Sequence, residues 1–249
     1  MNSIILKYDY ELELLEDILN QTCHIPTDLL VCSSKADFLE QLVVQLGRIS
    51  IQSEAQTPLP QEEANTQFGG HSCKPQPILL SKTLHALSAS QLISLVFCPT
   101  IPPLRGYLSG YVSRSASPST QSPGQIIILN LLAMHHGTSE FTLQGLSQTL
   151  AAAVSAGHRT DRVLKLVECK DVNDPSNPNR GPGLWKTEVQ LLSAAIKIGE
   201  AGQSWGRRTI SVMRIASRWF KAEQQKERRR EEHNPVMLAR NSPEKEILV

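Results

Sequence analysis

A short polar stretch stands where a nucleotide-binding protein would carry its phosphate loop. Ser33, Ser34 and Lys35 follow a predicted buried strand over residues 29–32. A phosphate loop needs the pattern G-x-x-x-x-G-K-[ST], because its glycines turn backbone N–H groups toward the phosphates and its lysine reaches their charge. No glycine follows the strand until Gly47, and the connection is too short for such a loop. We therefore expect no nucleotide site of this kind.

A second predicted strand ends in an amide where a magnesium-binding carboxylate would be expected. The uninterrupted apolar run over residues 125–130 is typical of a strand buried on both faces of a parallel sheet. It ends at Asn130, whose neutral side chain cannot replace a carboxylate toward a hard cation. His135 and His136 follow, and we expect them to be exposed loop histidines. The missing loop and the missing carboxylate both predict a protein without catalytic residues.

Residues 202–206 read GQSWG, which matches the G-x-S-x-G pattern of serine hydrolases. That mechanism needs a strand before the serine, a helix after it, and an acid and a histidine further along the chain. Here a strand-like run follows Ser204, and the one later histidine is His233 in a polar tail. A glycine-rich hairpin turn is the favoured interpretation, with a hydrolase as an alternative.

The sequence predicts no metal site and no cofactor. Cys23, His24, His71 and Cys73 could supply four zinc ligands, but their spacing fits no compact zinc-binding module. The five cysteines of the chain are scattered and include no C-x-x-C pair, which indicates reduced thiols. We therefore expect an intracellular protein of the nucleus, the cytoplasm or both, with the nucleus favoured.

Four arginines near the end of the folded region are candidates for DNA contact. A hairpin is predicted from residues 189–198 and 209–220, and arginines in such an array suit phosphate groups. Two are placed at the hairpin tip and two on one face of the final strand, because strand side chains repeat every two residues. The four are Arg207, Arg208, Arg214 and Arg218.

The amino-acid composition excludes several classes of protein. The chain has 249 residues, 40% of them hydrophobic, with 25 basic and 24 acidic side chains. This balance excludes a disordered chain and a globally basic nucleic-acid wrapper, so any DNA affinity must be local. No apolar run approaches the roughly 20 residues that span a bilayer, so we expect no membrane partner.

Hydrophobic periodicity divides the chain into three parts. Residues 1–27 contain an amphipathic helix with an apolar face that we expect to bind a protein partner. Residues 28–220 alternate strands and helices, which predicts an α/β domain with a mostly parallel central sheet and an antiparallel hairpin. Flexible insertions are predicted at 50–77 and 113–124, and a disordered charged tail at 221–249. The apolar face of the first helix consists of Leu12, Leu15, Ile18 and Leu19.

This layout resembles the RecA-like ATPase superfamily, in particular the diverged recombinase paralogues of Shu-type complexes that partner a SWIM-domain protein. The resemblance covers roughly residues 28–220 and leaves Ser33, Ser34, Lys35 and Asn130 as vestigial nucleotide positions. The segments that carry it are residues 94–100, 104–108, 125–130, 151–153, 164–169, 209–212 and 218–220.

The resemblance implies a non-catalytic accessory subunit in homologous recombination and DNA repair. Its partner would be a SWIM-domain or recombinase-type subunit in a heteromeric complex, with weak DNA contact. An alternative is a motif-poor RecA-like subunit of another assembly, such as an Elongator-type ring that works in tRNA modification.

Overall fold

The structure, a computed structural model, describes residues 3–21, 25–54, 84–112, 124–191 and 209–222. Among the sequence candidates, Cys23, His24, His71 and Cys73 lie outside these ranges, as do residues 202–206, Arg207 and Arg208. The strands are β1 Ser3–Leu6, β2 Thr27–Val31, β3 Ile93–Phe97, β4 Gln125–Leu129, β5 Val163–Val167, β6 Glu188–Gln190, β7 Thr209–Ser211 and β8 Lys221–Ala222. The helices are α1 Glu11–Gln21, α2 Lys35–Glu54, α3 Leu84–Ser90, α4 Ile101–Ser109, α5 Leu131–His135, α6 Leu143–Arg159 and α7 Val212–Ala216, with a 3-10 helix at Pro182–Lys186.

Six strands form one parallel sheet in the order β3-β2-β4-β5-β1-β8. All five residues of β2 and of β4 are buried, because helices cover both faces of the sheet. This confirms the predicted α/β class and its parallel sheet. β1 was not predicted, since its apolar run is only three residues long, and it brings the N-terminal segment into the central sheet beside β5.

Side chains of successive strand residues point to opposite faces, and each face has its own core. On one face, Leu29 and Val31 pack with the apolar side of α1 and with Phe38 of α2. On the other face, Leu30 and Ile128 pack with side chains of α4, α5, α6 and α7. The helices that follow β1 and β2 therefore lie on one face, and those that follow β3, β4 and β5 lie on the other. Crevices open where neighbouring strands differ in this respect.

The apolar face of α1 belongs to the core of this chain. Leu12, Leu15, Ile18 and Leu19 are between 2% and 9% exposed, so they do not form the exposed docking surface that was expected. The amphipathic pattern was interpreted correctly as a helix, but the surface that buries it is the chain's own sheet.

The C-terminal region corrects the predicted hairpin. β6 and β7 do pair antiparallel, but they form a separate two-stranded sheet with three residues in each strand. The chain then turns into α7, because the Ser211 hydroxyl accepts a hydrogen bond from the backbone N–H of Arg214 and caps the helix. Arg214 lies on this helix and Arg218 in the turn after it, so they do not share a strand face, although both are exposed.

Of the two predicted insertions and the predicted tail, the structure describes only the first or last few residues. Residues 50–54 continue α2, where a loop was predicted, and Gly124 precedes β4. The tail begins with β8, which pairs with β1. None of the helices in the described ranges combines the length and apolar character needed to cross a bilayer.

Candidate functional site

The carboxyl ends of the parallel strands meet at one edge of the sheet, where ligands of open α/β folds bind. Binding crevices form between neighbouring strands whose connections leave to opposite faces. β1 leads to α1 on one face, whereas β5 beside it leads to the 3-10 helix on the other. β2 leads to α2 and β4 beside it to α5, again on opposite faces. β3, on the other side of β2, leads to α4 on the same face as α5. The fold thus has a β1–β5 crevice and a crevice around the end of β2, which we call the β2–β4 crevice.

The β1–β5 crevice is filled by a buried carboxylate. Glu11, the first residue of α1, is fully buried. Its Oε1 lies 2.6 Å from Nη2 of Arg180 in an ion pair and accepts a hydrogen bond from Asn130 Nδ2 at 3.2 Å. Its Oε2 accepts a hydrogen bond from Gln45 Nε2 at 2.9 Å. A negative charge is favourable at a helix N-terminus, because the peptide dipoles place partial positive charge there. The Glu11 carboxylate occupies this position in α1.

Asn130 joins the strand ends beneath this carboxylate. Its backbone is left-handed, with φ 60°, a conformation that asparagine tolerates better than most residues. Its Oδ1 accepts a hydrogen bond from the backbone N–H of Cys169 at 2.8 Å while its Nδ2 donates to Glu11. The amide therefore uses both its donor and its acceptor inside the chain.

Two glutamines of α2 fasten the loops around the filled crevice. Gln45 Oε1 accepts a hydrogen bond from the backbone N–H of Leu12 at 2.9 Å. Gln41 Oε1 accepts one from the backbone N–H of Val172 at 2.8 Å, and its Nε2 donates to Asp171 Oδ1 at 3.1 Å. The first turn of α1 and the loop that follows β5 are thereby tied to α2.

Glu168 is a second buried carboxyl group at this edge of the sheet. It follows β5, and its two oxygens accept backbone hydrogen bonds from Leu132 at 2.6 Å and Ala133 at 3.4 Å. Burial raises the pKa of Glu168 to about 8, against the lowering effect of these hydrogen bonds and of the Arg180 charge. The group therefore binds a proton at neutral pH.

The β2–β4 crevice is open. It forms a cleft of about 360 Å³, and its walls come from the residues after β2, β3, β4 and β5. The residues that line it are Cys32, Ser33, Ser34, Asp37, Pro99, Asn130, Ala133, Met134, Asp171, Asn177, Asn179 and Arg180.

Two polar groups of the cleft have no hydrogen-bond partner among the described residues. Arg180 Nε is buried and donates to no acceptor. No described residue donates a hydrogen bond to the Asp37 carboxylate, while the backbone N–H of Asp37 donates to Ser34 Oγ at 3.1 Å and so caps α2. Asp171 keeps its negative charge, because the hydrogen bond from Gln41 and two backbone hydrogen bonds lower its pKa in spite of partial burial.

The structure brings three of the four vestigial positions together. Ser33, Ser34 and Asn130 line the cleft, whereas Lys35 is exposed and is not among the lining residues. The loop after β1, which precedes the filled crevice, was not considered because that strand was not predicted. Glu11 and Arg180 were missed as well, and no local signal points to them, since they are 169 residues apart in sequence.

The two histidines after β4 do not form a site. His135 is fully buried, which contradicts the expectation of an exposed loop histidine, and burial lowers its pKa to about 4. His136 is half-buried with its ring against Phe141. Within the described ranges, no group of three or more His, Cys, Asp or Glu side chains is arranged to hold a metal ion.

The two edges of the main sheet differ in length and in polarity. β8, at one edge, has two residues and carries Lys221. β3, at the other edge, has five residues, ISLVF, without charge or proline. The backbone hydrogen bonds of Leu92 and Cys98 reach β2, so by alternation the N–H and C=O groups of Ile93, Leu95 and Phe97 point outward from the sheet.

Exposed apolar side chains accompany this edge. Leu95 is 48% exposed in the strand itself. The ring of Phe38 contacts Phe97 and so places α2 against β3, while α3 leads directly into the strand. We call five exposed apolar residues of these three elements the apolar edge: Leu39, Val43, Leu84, Leu87 and Leu95. Ile51, which is also exposed, lies further along α2 and is not included.

Comparison with known proteins leaves the family open. No protein-family model, curated protein or solved structure matches this chain. What is established is the fold that the structure itself shows: an α/β fold with a six-stranded parallel sheet flanked by helices and a small antiparallel sheet.

Proposed function

We propose that this chain is a non-catalytic RecA-like accessory subunit that works in homologous recombination and DNA repair through protein partners. The observation that carries the proposal is the buried Glu11 carboxylate, held by Arg180, Gln45 and Asn130 at the carboxyl end of β1. The sequence resemblance supplies the family and the pathway.

The filled crevice argues against hydrolysis of a nucleoside triphosphate in the β1–β5 crevice. A triphosphate there would have to displace the Glu11 carboxylate or face its negative charge in a water-poor environment. It would also have to break the 2.8 Å contact between Lys170 Nζ and Asp9 Oδ1, which joins the loops after β5 and β1. The β1–β5 crevice is thereby closed by side chains of the chain itself.

The apolar edge supports binding of a protein partner. Native proteins usually protect edge strands with charge, proline or a bulge, and β3 is an uncharged five-residue edge strand without proline. An extended segment of the partner could add to β3 as a further strand, with main-chain hydrogen bonds to Leu95 and its neighbours. Apolar side chains of that segment would cover Leu95 and Leu87. We propose a SWIM-domain or recombinase-type subunit as this partner, in the nucleus.

Weak DNA contact remains part of the proposal. Arg214 and Arg218 are exposed near α7, on the other side of the sheet from α1 and α2. They could contact phosphates while the β3 edge holds the partner.

The test is capture of the partner by the full-length chain, tagged and crosslinked in its own cells, with identification by mass spectrometry. We expect recombination proteins, with crosslinks near β3, and an about tenfold lower recovery for Leu95→Lys, because the charge opposes burial of the edge. Val112→Lys is the matched control, since Val112 is also an exposed apolar residue but lies after α4.

Recovery of tRNA-modification proteins in place of recombination proteins would favour the Elongator-type alternative. Equal recovery with Leu95→Lys and with Val112→Lys would contradict the role of the β3 edge.

A further inference from the structure

The open cleft lies at a point of the sheet that favours ligand binding. β2 and β4 are neighbours, and the chain leaves them toward opposite faces, so their loops separate and leave a crevice. In open α/β sheets, ligands bind in such crevices at the carboxyl ends of the strands. A volume of about 360 Å³ is within the range of small-molecule sites.

The charges of the cleft disfavour phosphates. Asp37 and Asp171 line it, and the positive charge of Arg180 is already paired with the Glu11 carboxylate. An anionic ligand would therefore meet two carboxylates without a free cation to offset them. An uncharged ligand avoids this repulsion.

The unmatched polar groups of the cleft call for a ligand that both donates and accepts hydrogen bonds. Arg180 Nε is a buried donor without an acceptor, and the Asp37 carboxylate is an acceptor to which no described residue donates. A hydroxyl group can satisfy either of them, because it carries one donor and two acceptor lone pairs. Pro99 and Met134 add apolar wall against which a ring could pack.

We propose that the β2–β4 cleft binds an uncharged ligand with neighbouring hydroxyl groups, the chemistry shared by nucleosides and free sugars. The hydroxyls donate to Asp37 and accept from Arg180. This site is separate from the apolar edge and does not depend on the proposed role in recombination.

The experiment is an NMR titration of the isotope-labelled full-length chain with adenosine, 2′,3′-dideoxyadenosine, ribose and ATP. We expect adenosine to shift resonances of the cleft residues with a Kd on the order of 1 mM, as befits an open polar site. Removal of the hydroxyls in the dideoxy compound weakens binding about tenfold, because hydrogen bonds to charged groups are lost. Ribose binding as tightly as adenosine would identify the sugar as the recognised part, and weaker ribose binding would identify the nucleoside.

Asp37→Asn is the test variant and Glu40→Gln its control, since Glu40 is an exposed acid of the same helix that does not line the cleft. We expect about tenfold weaker adenosine binding for Asp37→Asn and no change for Glu40→Gln. The proposal is overturned if neither adenosine nor ribose binds, if ATP binds more tightly than adenosine, or if both variants bind like the unchanged protein.

Discussion

The β1–β5 crevice and the β2–β4 crevice arise from the same rule of topology but have opposite contents. In the first, Glu11 and Arg180 meet each other and occupy the space. In the second, no described residue pairs with the Asp37 carboxylate or with the Nε atom of Arg180, and a cleft remains. The comparison teaches that topology determines where a crevice forms, whereas a few charged side chains determine whether it is available to a ligand.

The largest expected effect follows from breaking the filled crevice. Arg180→Ala leaves the Glu11 carboxylate buried without its ionic partner, so we expect a loss of roughly 3 kcal/mol in the free energy of unfolding. Urea denaturation monitored by circular dichroism measures this change. The double variant Glu11→Gln, Arg180→Ala should recover part of the loss, because an amide is less costly to bury than an unpaired charge.

A loss below about 0.5 kcal/mol for Arg180→Ala, the range of ordinary surface substitutions, would show that the crevice is not held by this ion pair. The contrast between the two crevices would then be lost.

The second effect concerns Glu168, whose pKa burial raises from 4.5 to about 8. The native state retains a proton that the unfolded state releases, so this stabilising contribution is complete below pH 4.5 and is lost as the pH rises through about 8. Between pH 6.5 and about 8.5, stability should fall by on the order of 2 kcal/mol for the unchanged protein and much less for Glu168→Gln. Urea denaturation at both pH values measures it.

Exposed Glu40→Gln provides the comparison, since it leaves Glu168 unchanged and should keep the full pH dependence. His135 contributes little over this interval, because its pKa is 6.5 in the unfolded state and about 4 in the native state, so its stabilising contribution is lost mainly as the pH falls below 6.5. The interpretation fails if Glu168→Gln follows the same pH curve as the unchanged protein.

The smallest effect is expected at the open cleft. Ser34→Ala removes the hydroxyl that caps α2, and helix caps contribute about 1 kcal/mol. Thermal unfolding should therefore shift by only a few degrees, roughly 2–4 °C for a domain of this size. If Ser34→Ala destabilised the protein as much as Arg180→Ala, the two crevices would contribute equally to the free energy of unfolding. That result would contradict the comparison above.

Local signals predicted much of the fold. The segments that became β2, β3, β4 and β5 were recognisable because each is a short, mostly apolar run bounded by polar residues or proline. The start of α2 also has a local signal, because serine is a favoured N-cap residue and Ser34 accepts a hydrogen bond from the backbone N–H of Asp37.

Elements that depend on distant partners were not predictable. β1 is a short strand that is stable because β5 and β8 flank it. Residues 212–216 have the β-branched and apolar character of a strand, yet form α7 because Ser211 caps them and Val212, Ile215 and Ala216 are buried on one side.

The candidate site was predicted only in part. The sequence pointed to Ser33, Ser34 and Asn130, which do line the cleft, because they directly follow strands. Glu11 stands among other acidic residues of α1, and nothing near it in the sequence indicates Arg180. Contacts between distant loops determine the chemistry of this edge, and periodicity carries no information about them.

The unlike edges of the main sheet limit how this protein can take part in a row of similar subunits. In the described part of the chain, β3 can accept a further strand along five residues, whereas β8 offers only two and a lysine. A neighbouring subunit could therefore add a strand at the β3 edge but not at the β8 edge. Such a subunit can mark the end of a filament but cannot stand in its middle by this means.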